Sequence, residues 1–124
     1  ILDEIRNGPR STVIFTNALT AELPEDRSRL ERLIEFSKQS ERTFVQILLE
    51  CTEHENRSRI ASVQRAAGKL SDADQISQIR REFTIYHPEG RLSFRLDTTE
   101  MSPEDAADAI AEYIALATKN LITD

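Results

Sequence analysis

The chain has 124 residues, 39% of them apolar and 31% charged, with a formal net charge of −6. That size and balance predict one globular domain over residues 1–124 and exclude a disordered chain. The acid excess argues against a general nucleic-acid or acidic-membrane binder, no apolar run reaches the roughly 20 residues that span a bilayer, and the single cysteine rules out an intrachain disulfide.

Residues 1–7 read as the tail of a helix stopped by Gly8-Pro9. No Met precedes them, so the expectation is the C-terminal part of a larger cytoplasmic protein. Residues 12–16, Thr-Val-Ile-Phe-Thr, are β-branched and aromatic without alternation, the pattern of a strand buried in a parallel sheet. Asn17 closes that run. Pro24-Glu25-Asp26 then places Pro and acids in a first helical turn, and Leu30, Leu33, Ile34 and Phe36 carry an apolar face to an end near Ser40.

The strongest strand signal is residues 44–49, ending at Cys51-Thr52. Residues 53–60 form a helix almost without an apolar stripe, so it is solvated or faces a ligand. A polar stretch follows through Arg65 and Gly68-Lys69. Ser71-Asp72 caps the next helix, with Ile76, Ile79, Phe83 and Tyr86 on one face. After a turn at residues 87–90, residues 92–96 alternate as a half-open strand does. Asp97-Thr98-Thr99 ends it. Ser102-Pro103-Glu104-Asp105 opens a last helix, buried through Ala106, Ile110, Ile114, Ala117 and Leu121. Strands separated by helices of this length predict βαβ units: an α/β fold with a parallel sheet of about three strands and flanking helices.

The chemistry-bearing residues are few. Arg57, Arg59, Arg65 and Lys69 fall within thirteen residues of an acidic chain, and guanidinium forks match phosphate oxygens. The same residues fit a solvated helix with i,i+4 partners such as Glu55 and Arg59. Cys51 and His54 have a C-x-x-H spacing but no further ligands in sequence, so no metal site and no catalytic residue is assigned. Asn17, Cys51 and Asp97 each end a predicted strand, where open parallel sheets bind ligands and where turns also favour Asn and Asp. A phosphate-binding loop is missing. The only Gly-Lys pair, Gly68-Lys69, is followed by Leu70, and Val63 stands where the first glycine belongs.

The order of these pieces resembles the small P-loop kinases, among them shikimate and gluconate kinases and relatives described as AAA-type ATPases. The run from Leu49 to Ile60 is similar to the family's segment after its fourth strand. Gly68-Lys69-Leu70-Ser71-Asp72 resembles the end of its lid, and Leu96-Asp97-Thr98-Thr99 with Ser102-Pro103-Glu104 its last strand and closing helix. The resemblance implies an incomplete three-layer sandwich with a lid-like segment over about 53–72. It implies Arg59, Arg65 and Lys69 over ATP, Asn17 on the substrate side, and a small-molecule hydroxyl as phosphate acceptor. ATP and Mg²⁺ would bind the parent protein, and this chain alone would be inactive. The family's strand order is 2-3-1-4-5, and the strand carrying the phosphate loop is the absent strand 1. Its loss opens a seam in the sheet, so self-association through that seam is expected. Two further classes fit the residues: a non-catalytic α/β interaction module and a nucleotide-sensing one.

Overall fold

The two clearest strand signals meet in a single ladder. The computed structural model describes residues 12–62, 72–90 and 92–123, together with Leu2 and Glu4. Among them the order is α1 (Pro24–Gln39), β1 (Gln46–Glu50), α2 (Glu53–Ile60), α3 (Ala73–Glu82), β2 (Ser93–Asp97) and α4 (Pro103–Thr123). β1 and β2 pair in parallel, from Gln46 opposite Ser93 to Glu50 opposite Asp97. Parallel neighbours need a long crossover, and α2 and α3 lie in it.

The register puts Ile47 and Leu49 on one face with Phe94 and Leu96. α4 covers the β2 side of that face. Tyr113 stacks on Phe94 with ring centroids 4.7 Å apart and planes 11° from parallel, and Leu96 is buried. The cover stops short of β1, where Leu49 remains 53% exposed. The other buried apolar residues among those described are Leu30 and Phe36 on α1, Ile60 at the end of α2 and Ala117 on α4. No helix among the described residues is long and apolar enough to cross a membrane.

The fold is α/β with a parallel sheet, as expected, but the sheet among the described residues has two strands rather than about three. Residues 12–16 join no ladder, and Val13, Ile14 and Phe15 are exposed. A strand of that composition needs a ladder partner and cover on both faces, and here β1 and β2 pair with each other. The chain makes its pairing further on. Thr20 forms an antiparallel bridge with Ile85, Ala21 N–H donates to Thr84 O (2.8 Å) and Tyr86 N–H donates to Leu19 O (2.9 Å). Phe83 and Tyr86, expected on the face of α3, lie beyond it. Phe83 is its extended C-cap, and Tyr86 sits under the Arg27 guanidinium at 5.1 Å.

Two carboxylates fasten this antiparallel contact. Leu23 cannot cap α1 with a side chain, so Asp26 in the first turn reaches back, accepting from Thr20 N–H (2.8 Å) and the Thr20 hydroxyl (3.1 Å). Glu22 accepts from Thr84 N–H (3.1 and 3.0 Å to its two oxygens). The Thr84 amide holds Glu22, and the Thr20 amide holds Asp26, below the usual carboxylate range. Carboxyls depressed in the folded state stabilise it above their unfolded pKa, and that contribution is lost as pH falls through the folded pKa. The urea midpoint is therefore expected to hold steady from neutrality and to drop below about pH 4. Asp26→Asn should flatten part of that drop, and an unchanged profile would contradict the assignment.

Deleting the largest buried side chain of α1, Phe36→Ala, should cost about 3–5 kcal/mol in urea denaturation.

Candidate functional site

In a parallel sheet the carboxyl ends of neighbouring strands, and the helix starts that follow them, open on the same side. Here that end gathers Cys51 and Thr52 after β1 with Asp97, Thr98, Thr99 and Glu100 around the end of β2. Thr98 closes it: its N–H donates to Glu50 O (2.7 Å) and its hydroxyl donates to the same carbonyl (3.1 Å). Thr52 N–H donates to the Thr99 hydroxyl oxygen (3.1 Å). The Thr52 hydroxyl accepts from Glu55 N–H (3.2 Å), which caps α2.

Asp97 accepts from the Thr99 hydroxyl (2.5 Å) and from Thr99 N–H (2.9 Å). The hydroxyl most of all, then the amide, with a smaller contribution from the Arg59 charge, holds the Asp97 carboxyl below its ordinary range. Thr52, Asp97, Thr99 and Glu100 line an open depression of about 370 Å³. A second hollow of about 390 Å³ lies at the amino ends of the strands, between Lys38 of α1, Gln46 and Leu92. That is the end of the sheet away from this cluster.

Arg59 is turned into the protein. Its Nε donates to Glu55 Oε1 (3.0 Å), Nη1 to the Thr98 hydroxyl oxygen (3.1 Å) and Nη2 to Thr98 O (2.5 Å). The i,i+4 pair with Glu55 is the one the sequence spacing offered. Arg57 joins α2 to α3 through Ala73 O (2.8 Å), the Ser77 hydroxyl (2.6 Å) and Asp74 (3.0 Å). Arg80 returns from α3 to Asn56 Oδ1 (3.2 Å) and Cys51 O (3.3 Å). These forks replace the apolar stripe that α2 lacks.

The other predicted residues are not brought to this cluster. Arg65 and Lys69 lie outside the described residues, as do residues 63–71 of the expected lid-like segment 53–72, whose first part is α2. Asn17 is exposed on the unpaired segment before Thr20. Cys51 is half-buried and His54 exposed, and among the described residues no three metal-ligating side chains converge.

Sequence reasoning named Thr52 only as a strand end, read Thr98 and Thr99 as turn residues and as part of the resemblance's last strand, and gave no site role to these three or to Arg80. One signal was present: Thr52-Glu53-His54-Glu55 has the S/T-x-x-E spacing of a capping box. Here only its first half forms, because Thr52 N–H goes to Thr99 and Glu55 to Arg59.

The cluster can present an ionised carboxylate and hydroxyl groups to a polar ligand. The described residues do not form a triphosphate cradle: the Arg59 fork is taken by the protein, and Asp97 and Glu100 line the depression. No family model matches the chain, nor does a curated protein or a solved structure.

Arg59→Ala should lower stability by about 1–3 kcal/mol, because Thr98 loses charged donors. Lysine should restore little of it, having no planar fork. A urea midpoint unchanged in both variants would show that the fork carries nothing. The exposed Arg95–Glu50 pair (2.8 Å) serves as the comparison: Arg95→Ala should cost no more than about 1 kcal/mol.

Proposed function

We propose that this chain is part of a cytoplasmic, ATP-dependent phosphotransferase of the small P-loop kinase type, acting on a small-molecule hydroxyl, and that it turns over no ATP by itself. The observation that carries the reading is the direct parallel pairing of β1 with β2, with α2 and α3 in the crossover and Asp97-Thr98-Thr99 leading into α4. In the strand order 2-3-1-4-5 the last two strands are neighbours, whereas the strand before them pairs with strand 1. A run at residues 12–16 left without a ladder is consistent with that order when strand 1 is not in the chain. The three-layer sandwich then belongs to the parent, with strand 1 between residues 12–16 and β1.

ATP and Mg²⁺ belong to the parent in this reading, and the residues described do not fit them. Arg59 would reach a phosphate only by releasing Thr98. Arg65 and Lys69 are left as the proposed phosphate contacts and Asn17 as the acceptor-side residue. The inward Arg59 also favours a second reading, an α/β interaction or nucleotide-sensing module in which the arginines are purely structural.

Titration calorimetry of the chain with Mg·ATP should give no saturable heat in the micromolar range, and micromolar affinity would refute its inactivity. The parentage is tested by the coding sequence upstream of Ile1. A G-x-x-x-x-G-K-S/T segment after an apolar run is expected there, and its absence would leave the module reading.

A further inference from the structure

Among the described residues, β1 pairs along one edge only. Gln46 N–H donates to Leu92 O (3.0 Å), and Glu50 O accepts from Thr98 N–H (2.7 Å). Residues 46, 48 and 50 therefore turn their backbone groups toward β2, and Ile47 and Leu49 turn theirs outward. No described residue forms a ladder on that outer side. Leu49 on this edge is 53% exposed. Arg80, on Cys51 O, closes the edge just past the strand end.

We propose that a second copy of this chain occupies that edge, β1 against β1 in antiparallel register about a two-fold axis at Leu48, giving a continuous sheet β2-β1-β1-β2. The side-chain pattern of the strand suits this partner, with the Glu50 carboxylate also holding Arg95 (2.8 Å). With the axis at Leu48, Gln46 faces the partner's Glu50, so an amide donor meets a carboxylate at both ends of the pairing. Ile47 faces the partner's Leu49, and Leu48 faces the partner's Leu48. Each Ile47–Leu49 pair exchanges both of its backbone hydrogen bonds, since these are the residues whose groups point outward. The same operation on β2 sets Arg95 against Arg95 at the axis, and like charges directly opposite destabilise a sheet. Two-fold closure also ends the assembly at a dimer, because it consumes the β1 edge of both copies. The inference concerns this chain by itself and rests on its sheet alone; in a phosphotransferase parent strand 1 would hold the same edge.

The test uses the whole chain. Sedimentation velocity should show a monomer–dimer equilibrium across micromolar concentrations. Leu48→Cys in a Cys51→Ser background should form a covalent dimer on mild oxidation, because residues at the axis form a non-hydrogen-bonded pair whose Cα separation suits a disulfide. Gln46→Lys, which sets an ammonium against the partner's Glu50, should tighten the dimer several-fold, and Gln46→Glu should weaken it by a similar factor. Leu49→Pro removes only an outward N–H, so it should give a monomer with an unchanged far-UV circular dichroism spectrum. If that variant unfolds, the two Gln46 variants still decide the matter. A monomer throughout would overturn the proposal. So would a dimer that ignores both Gln46 substitutions, or one trapped through Val13→Cys and not Leu48→Cys, which would assign the contact to residues 12–16.

Discussion

The rest of the structure depends on the closure of the sheet at its carboxyl end by Thr98. A two-strand parallel ladder of five residues is weak on its own, its bonds slanted and its faces only partly covered. Thr98 adds an amide and a hydroxyl bond to Glu50 O just past the last pair. Arg59 then binds the Thr98 hydroxyl and carbonyl, so the polar helix that follows β1 is fixed to the loop that follows β2. Without it, α2 has only Ile60 as a buried apolar anchor.

This constraint accounts for the electrostatics of the cluster. A helix with no apolar stripe is held by guanidinium forks on carbonyls and hydroxyls, which are directional and half-exposed. The partly exposed ion pairs Arg57–Asp74 and Arg59–Glu55 contribute about 1 kcal/mol or less each; what Arg59 adds beyond that comes from its bonds to Thr98. Apolar packing comes from Phe94 stacked on Tyr113 and from the buried Leu96. Commitment of the forks inside the chain is also why a set of cations in an acidic protein does not make an anion site among the described residues.

The fold was legible where local chemistry and tertiary demand agree. Pro24 with its acids, the apolar run ending at Glu50, Asp72 as a cap, and Ser102-Pro103 all stand where the sequence put them. Residues 12–16 were not legible, because strand propensity says nothing about whether a ladder is present to receive the strand. Phe83 and Tyr86 continued a helical spacing, but the bonds of residues 84–86 to 19–22 draw the chain into an extended path. At the cluster, spacing gave the Glu55–Arg59 pair and the strand-end position of Asp97. The reach of Arg59 to Thr98, across 39 residues of chain, leaves no mark in the sequence.

Among the described residues one edge of β1 is used and the other is open. Amide hydrogen exchange along β1 tests this most directly. At high dilution the Gln46, Leu48 and Glu50 amides, bonded to β2, should be protected, while Ile47 and Leu49 exchange freely. As concentration rises into the micromolar range, Ile47 and Leu49 alone should gain protection. Protection of Ile47 and Leu49 that is already present at the lowest concentration, or that never changes, would contradict the open edge and its pairing with a second copy.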